Sequence, residues 1–210
     1  MNATSPGGLR IAVADDERDM CQFFQEVLTT LGHRVVAVAE TGRQLVDRCR
    51  AAPPDLIITD IRMPDLDGLE AAGMVNREHP VPVIAVSAHS EPELLERASA
   101  GPVMTYLIKP IKPADLQAAI ALAMARYEQY RKVSEEAAGL RQALEDRKTI
   151  ERAKEIVARR LRVEESDAFH RLQKLASVRN SKLAEVAQRI LEADRIFQEL
   201  ESAATPRSGR

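Results

Sequence analysis

Short apolar runs alternate with longer amphipathic segments through the first half of the chain. The runs cover residues 9–14, 34–39, 55–60, 82–87 and 103–108. Each run is almost continuously apolar, which is expected for a parallel strand covered by helices on both faces. The segments between the runs place apolar side chains at helical spacing. This alternation predicts an α/β domain over residues 9–125, a doubly wound parallel sheet of five strands.

From Pro113 onward the strand pattern is replaced by a helical one. Apolar residues recur mostly every three or four positions, at Leu116, Ile120, Met124, Tyr127, Val133, Ala137, Leu140 and Leu144. Charged residues fill the positions between them. A helix of about 30 residues exceeds the needs of one domain surface, so part of it is expected to project as a coiled coil. The prediction places this coiled-coil linker at residues 126–146.

The last third of the chain predicts an all-α domain, a three-helix bundle over residues 147–202. Its amphipathic segments are residues 147–161, 164–177 and 181–200. Asn180 or Ser181 is expected to cap the last helix, since short polar side chains accept from free N–H groups. Residues 1–8 and 203–210 are polar and are expected to be a disordered leader and tail.

Charge divides the chain at about the same place. The net charge of the whole chain is −2. Residues 1–125 contain 11 Lys and Arg and 17 Asp and Glu, whereas residues 126–210 contain 19 Lys and Arg and 15 Asp and Glu. An acidic half followed by a basic half predicts two domains with different partners. No apolar run approaches the length of a membrane helix, and Cys21 and Cys49 lack metal-binding or redox spacing. We therefore expect a cytoplasmic protein with free thiols and no membrane association.

Polar residues gather where the predicted strands end. Asp15 and Asp16 follow the first run, Asp60 ends the third, Ser87 ends the fourth and Lys109 follows the fifth. In a doubly wound sheet these positions converge at one edge. Three carboxylates there call for a divalent cation, and oxygen ligands suit Mg²⁺. A cation, a lysine and a hydroxyl around a nucleophilic carboxylate are what a transferring phosphoryl group requires.

The sequence favours two other interpretations of these carboxylates less. A strand-end Asp often only caps the next helix, but five chemically suited residues at five strand ends are improbable by accident. A haloacid dehalogenase-type phosphatase also uses a strand-end Asp, but it needs a second Asp two residues later. Arg62 stands there, two residues after Asp60. The sequence therefore argues against a phosphatase of this type, and we expect that the chain is not an enzyme.

Across residues 9–125 the sequence resembles the receiver domains of two-component response regulators, which have a flavodoxin-like fold. The motifs that carry the resemblance are Ala14-Asp15-Asp16-Glu17, Asp60-Ile61-Arg62-Met63-Pro64-Asp65-Leu66-Asp67-Gly68, Ser87-Ala88 and Tyr106-Leu107-Ile108-Lys109-Pro110. A departure is Gly101-Pro102-Val103-Met104-Thr105, where many receivers carry a Gly-Ala-x-Gly run.

The resemblance implies a role for each matched residue. Asp60 would accept phosphate from a sensor histidine kinase. Mg²⁺ would be bound by Asp16, by Asp60 and by the backbone carbonyl of Arg62, and by Asp15 through water. Lys109 would pair with the phosphoryl group, and the Lys109–Pro110 peptide bond would be cis. Ser87 would move to meet a phosphoryl oxygen. Tyr106 would be a rotameric switch.

The segment 147–162 is strongly basic, with seven Lys and Arg against two Glu. A charge run alone more often marks a solvated helix face, and this segment has no aromatic residue on which a base could stack. The wider stretch 144–193 resembles the ANTAR domain, the RNA-binding antiterminator module that follows receivers. The matching stretches are Leu144-Glu145-Asp146-Arg147-Lys148, Ile150-Glu151-Arg152-Ala153-Lys154, Ala168-Phe169 with Leu172, Ala176, Asn180-Ser181-Lys182-Leu183 and Val186-Ala187. It departs from the family at Glu155, Gln173 and Ser177, where Gly, Arg and Met are usual.

The ANTAR resemblance implies a three-helix domain that binds paired RNA stem-loops, usually as a dimer, and prevents terminator formation. The expected contacts with the phosphate backbone of the RNA are made by Arg147, Lys154 and Lys182, with further basic side chains at Lys174 and Arg179. Gln173 is a candidate for hydrogen bonding to a base. We expect phosphorylation of Asp60 to shift a monomer–dimer balance through the long helix and so to control RNA binding. The alternatives are a DNA-binding regulator and a regulator that acts only through protein contacts.

Overall fold

The computed structural model describes residues 8–88 and 103–204, with side chains to residue 200, and divides the chain into two compact units, Met1–Lys132 and Val133–Arg210. The elements of the first unit are β1 (Arg10–Ala14), α1 (Arg18–Thr30), β2 (Arg34–Ala39), α2 (Gly42–Ala51), β3 (Leu56–Asp60), α3 (Gly68–Glu78), β4 (Val83–Ser87), β5 (Val103–Ile108) and the start of α4 (Pro113–Leu161). The expected helix between β4 and β5, the leader before Gly8 and residues 205–210 of the tail lie outside the described residues.

The five strands form one parallel sheet in the order β2-β1-β3-β4-β5, the order of the flavodoxin-like fold. All five end at the predicted residue, and each begins within one residue of its predicted run. Both faces of the sheet are covered, which explains the continuous apolar runs: Ala12 packs in the cluster that includes Leu45 of α2, whereas Ile11 packs in the cluster that includes Phe24 of α1. The prediction of a doubly wound sheet is confirmed.

Helix α4 is a single helix of 49 residues, which corrects the predicted division into a stalk and a separate first bundle helix. Its apolar residues lie in two different environments, the core of the first unit and the solvent-exposed surface. Leu116 and Ile120 are buried in the core of the first unit, whereas Val133, Leu140 and Leu144 are 66%, 73% and 54% exposed.

The second unit contains the end of α4 with α5 (Glu165–Val178) and α6 (Leu183–Ala204), as the predicted three-helix arrangement requires. The three helices share a small core of Ala153, Leu172, Ala176, Val186 and Ala187. The prediction that Asn180 or Ser181 caps the start of α6 is wrong. Asn180 instead closes α5 with φ of 48°, its N–H donating to the Ser177 carbonyl, and the buried Oγ of Ser181 has no hydrogen-bond partner. The carbonyl of Lys182 accepts the first backbone bonds of α6.

Candidate functional site

Three carboxylates meet at the carboxyl edge of the sheet. Strands β1 and β3 are hydrogen-bonded neighbours, so Asp15 and Asp16, which follow β1, lie beside Asp60 at the end of β3. An oxygen from each of the three lies within 4.8 Å of the others. Asp15 is fully buried and Asp60 is 6% exposed, whereas Asp16 is exposed. The fold therefore brings together the three carboxylates that were predicted to converge at this edge.

Lys109 links these carboxylates. Its Nζ lies 2.7 Å from Asp60 Oδ2, 3.0 Å from Asp15 Oδ2 and 2.9 Å from Glu17 Oε1. Burial alone would lower the pKa of Lys109, but hydrogen bonds to Asp60, Glu17 and Asp15 outweigh it and raise the pKa, so the ammonium stays charged. The Lys109–Pro110 peptide bond is cis, as predicted. Glu17 lies in the acidic motif Ala14-Asp15-Asp16-Glu17, but its contact with Lys109 was not predicted.

The loop after β3 holds Asp60 close to its neighbours. Asp60 Oδ1 accepts from the Arg62 N–H at 2.8 Å, and Asp67 caps α3 by accepting from the Glu70 N–H at 2.8 Å. At Gly68 an added Cβ would lie 1.8 Å from the Asp60 carbonyl oxygen. The glycine of the motif is therefore required for this close backbone approach.

An open pocket lies over the cluster. It is lined by Asp16, Glu17, Asp60, Arg62, Ser87, Ala88 and Lys109. Ser87, at the end of β4, is thus placed beside Asp60 as expected. Tyr106 does not line this pocket; it lies on β5 and is 47% exposed.

The donor set fits the expected Mg²⁺. Burial raises the pKa of Asp15, against the lowering effect of the Glu17 N–H and Lys109. Although Asp15 Oδ2 is 3.0 Å from Lys109 Nζ, the contact lacks hydrogen-bond geometry, and this buried oxygen has no hydrogen-bond partner. A hard divalent cation near three carboxylates would satisfy such an oxygen.

The residues of the second unit that are expected to contact RNA differ in their exposure to solvent. Gln173, Lys174 and Arg179 of α5 and its C-terminal turn, Arg147 of α4 and Lys182 are exposed. Lys154 differs, because its side chain is only 18% exposed and its ammonium pairs with Glu151 and with Glu165, the latter at 3.0 Å. Hydrogen bonds to the two glutamates raise its pKa. Lys154 therefore ties the start of α5 to α4. Glu155, the departure from the family, is exposed.

Cys21 and Cys49 are free, as predicted, and both are buried. Within residues 8–88 and 103–204, no helix combines the length and apolar character needed to cross a membrane.

Comparison with known proteins supports the same two regions. Residues 11–121, more than half of the chain, match the response regulator receiver domain, and residues 138–191 match the ANTAR domain. The transcriptional regulatory protein PdtaR of Mycobacterium tuberculosis is 34% identical over 183 residues, which are 87% of this chain and 89% of PdtaR.

Two further similarities concern the first unit. The transcriptional regulatory protein ZraR of Escherichia coli is 34% identical over 116 residues, 55% of this chain and 26% of ZraR. The structure of a response regulator receiver domain protein from Clostridium thermocellum superimposes with a TM-score of 0.52 at 27% identity, over 58% of this chain and 98% of that one. The chain therefore belongs to the two-component response regulators that join a receiver domain to an ANTAR domain and act in RNA antitermination.

Proposed function

We propose that phosphorylation of Asp60 by a sensor histidine kinase controls how this cytoplasmic regulator dimerises and binds RNA stem-loops. The observation that carries the proposal is the arrangement around Asp60. A buried carboxylate at a strand end lies 2.7 Å from a charged lysine and opens into a pocket with two further carboxylates and a serine.

The chemistry follows from this arrangement. A carboxylate oxygen of Asp60 attacks the phosphorus of a phosphohistidine, so that the O–P bond forms, the N–P bond breaks and the imidazole nitrogen takes up a proton. Asp16, Asp60 and the Arg62 carbonyl would hold Mg²⁺ with Asp15 behind it, and the ion would neutralise charge on the phosphoryl oxygens. Lys109 would offer its ammonium to the same oxygens, and the Ser87 hydroxyl, which lines the same pocket, would meet one of them.

Two contacts in the first third of α4 support the proposed coupling between this site and the long helix. Arg126 donates to the Met104 carbonyl at 2.7 Å, and the Tyr127 hydroxyl donates to the Pro80 carbonyl at 2.7 Å. Met104 lies on β5, the strand that carries Tyr106. Movement of Tyr106 and β5 after phosphorylation is therefore expected to shift α4. Neither contact was foreseen, because both use backbone carbonyls that no sequence motif marks.

The exposed part of α4 is the proposed dimer surface. Its apolar side chains are Tyr130, Val133, Ala137, Leu140 and Leu144, which follow one another at steps of three and four. This is the spacing of a coiled-coil seam. The residues before it, such as Leu116, are used by the core of the first unit and are not available to a partner.

RNA binding is assigned to the second unit, with phosphate contacts from Arg147, Lys182, Lys174 and Arg179 and base contact from Gln173. All five side chains are exposed. Lys154 would have to leave two glutamates to reach a phosphate, so its role in this proposal is to hold α5 in place.

A comparison of RNA hairpins with duplex DNA in filter-binding assays over a range of salt concentrations tests the proposal. Binding to hairpin loops should weaken as the salt concentration rises. Arg147→Gln should reduce the slope of the logarithm of the binding constant against the logarithm of the salt concentration, called the salt slope, by about 0.7, because one phosphate contact is lost. Lys154→Gln should instead lower the thermal stability. A preference for duplex DNA at every salt concentration would favour a DNA-binding regulator, and binding to neither nucleic acid would favour action through protein contacts alone.

A further inference from the structure

A buried carboxylate from α6 organises two arginines at the C-terminal end of α4. Asp194 is 5% exposed. Its Oδ1 accepts from Arg160 Nε at 2.8 Å and lies 2.7 Å from Arg160 Nη2, and its Oδ2 accepts from Gln198 Nε2 at 2.8 Å. Arg159 Nη2 also donates to Asp194 Oδ2, at 3.4 Å, and the Arg159 side chain is 66% exposed. The buried charge is thus satisfied by Arg160 and Gln198, and Arg159 extends largely into solvent.

An aromatic ring fixes the face of the Arg160 guanidinium. The guanidinium carbon lies 4.7 Å from the centroid of the Phe197 ring. Phe197 remains 51% exposed although its neighbour is a cation held by a buried carboxylate. A guanidinium held at its edge by Asp194 and on its face by a ring has little freedom left to lose on binding. The pair therefore offers a rigid, flat, cationic and aromatic surface to solvent.

The end of α4 brings positive charge to this surface. Three arginines, Arg159, Arg160 and Arg162, fall within four consecutive residues at the end of α4, and Asp194 is the carboxylate that pairs with two of them. Flat guanidinium and aromatic faces stack on splayed nucleobases, and an exposed guanidinium pairs with phosphate oxygens. An acidic peptide would engage the arginines but would make no use of the ring.

We propose that this surface binds an unpaired nucleotide of the RNA, with the base stacked on the outward face of the Phe197 ring, whose other face is covered by Arg160, and a phosphate paired with Arg159. The proposal rests on the proposed function. It also extends beyond the family match, because that match ends at residue 191, before Asp194, Phe197 and Gln198. Arg160 lies thirteen residues after Arg147 on one helix, so the two loci are about 20 Å apart and form separate contacts.

The test compares full-length variants by fluorescence anisotropy with a fluorescein-labelled RNA hairpin that has an adenine-rich loop, and with a fully paired RNA duplex. Phe197→Leu should weaken hairpin binding about 5- to 150-fold, the loss expected for one stacked base, with little change in salt slope. Arg159→Gln should reduce the slope by about 0.7. Arg195→Gln is the matched control, because Arg195 lies on the same helix, is 82% exposed and pairs only with Glu199 among its described contacts. Arg195→Gln should change neither the affinity for the hairpin nor the salt slope.

Phe197→Tyr retains the ring and should bind the hairpin like the unmodified protein, which keeps the test decisive if Phe197→Leu unfolds. Hairpin binding that is the same in the unmodified protein, Phe197→Leu and Arg159→Gln would overturn the inference and leave the proposed function intact. An effect of Arg159→Gln without an effect of Phe197→Leu would also overturn it, since the site would then recognise anions without stacking. Absence of hairpin binding by the unmodified protein would instead remove the proposed function and the inference together.

Discussion

At the scale of single residues, Lys109 connects the acidic cluster. Its ammonium contacts Asp60, Asp15 and Glu17, which come from two strand ends and the turn after β1. A phosphoryl group on Asp60 would provide this ammonium with more strongly charged oxygens than the carboxylate does. Phosphorylation is therefore expected to draw Lys109 away from Glu17.

The phosphoacceptor assignment gives a first prediction. With Mg²⁺ and acetyl phosphate the protein should gain one phosphate, and Asp60→Asn should gain none, because an amide is not a nucleophile. Asp16→Ala should raise the Mg²⁺ concentration needed for half-maximal phosphorylation about tenfold or more. Intact-mass measurements follow the modification. Asp65→Asn, in the same loop and exposed, is the control and should be phosphorylated normally; phosphorylation of Asp60→Asn would contradict the assignment.

A second prediction concerns pH. Burial raises the pKa of the Cys49 thiol from 9.0 to about 11, so the folded state holds this proton more tightly than the unfolded chain does. The resulting stabilisation is complete below pH 9 and is lost as the pH rises towards 11. Thermal unfolding should show Cys49→Ala less stable than the unmodified protein at neutral pH, with the difference narrowing above pH 9. A difference that stays constant to pH 11 would show that Cys49 does not titrate in this way.

Residue identity predicted the receiver site better than it predicted side-chain pairing. Asp15, Asp60 and Lys109 were predictable because strand ends in a parallel sheet converge whatever the detailed packing. The pairing of Lys154 with Glu165 was not, because it depends on how α5 turns back along α4. The same holds for Asp194, whose position in the sequence gives no sign that it is buried.

At the scale of elements, α4 is one helix with two different apolar faces in succession. Its first turns belong to the core of the first unit, and its exposed stripe from Tyr130 to Leu144 begins where that core ends. Continuity past Leu144 was not predicted, because the similarity to a known domain suggested a boundary there. Neither Gly nor Pro interrupts the sequence between Leu144 and Ile150, and the helix accordingly continues.

The third prediction tests this stripe. Leu140→Lys combined with Leu144→Lys should raise the dimer dissociation constant at least about tenfold, because two charges would have to be buried in the seam. Sedimentation velocity over a concentration series measures the change. Ser134→Lys combined with Ala138→Lys adds the same charge at exposed positions off the stripe and should leave the constant nearly unchanged. Equal dimerisation of both double variants would place the association elsewhere.

At the scale of the whole chain, the sequence predicted the two kinds of architecture because each has its own periodicity. Apolar runs bounded by polar strand ends specify the parallel sheet, and three-to-four spacing specifies the helices. The termini of the helices were less predictable. Asn180 can cap a following helix or close a preceding one, and the left-handed backbone it adopts decides for the second.

The central claim, that the state of Asp60 controls RNA binding, is tested most directly by one titration. A labelled RNA with paired stem-loops is titrated with the unmodified protein and with Asp60→Asn, each with and without acetyl phosphate and Mg²⁺, at fixed salt. The claim predicts that phosphorylation tightens binding by the unmodified protein about tenfold, a coupling of about 1.4 kcal/mol. Asp60→Asn should keep its resting affinity in both conditions. Equal affinity of the phosphorylated and unphosphorylated protein would contradict the claim, even if both bind the RNA tightly.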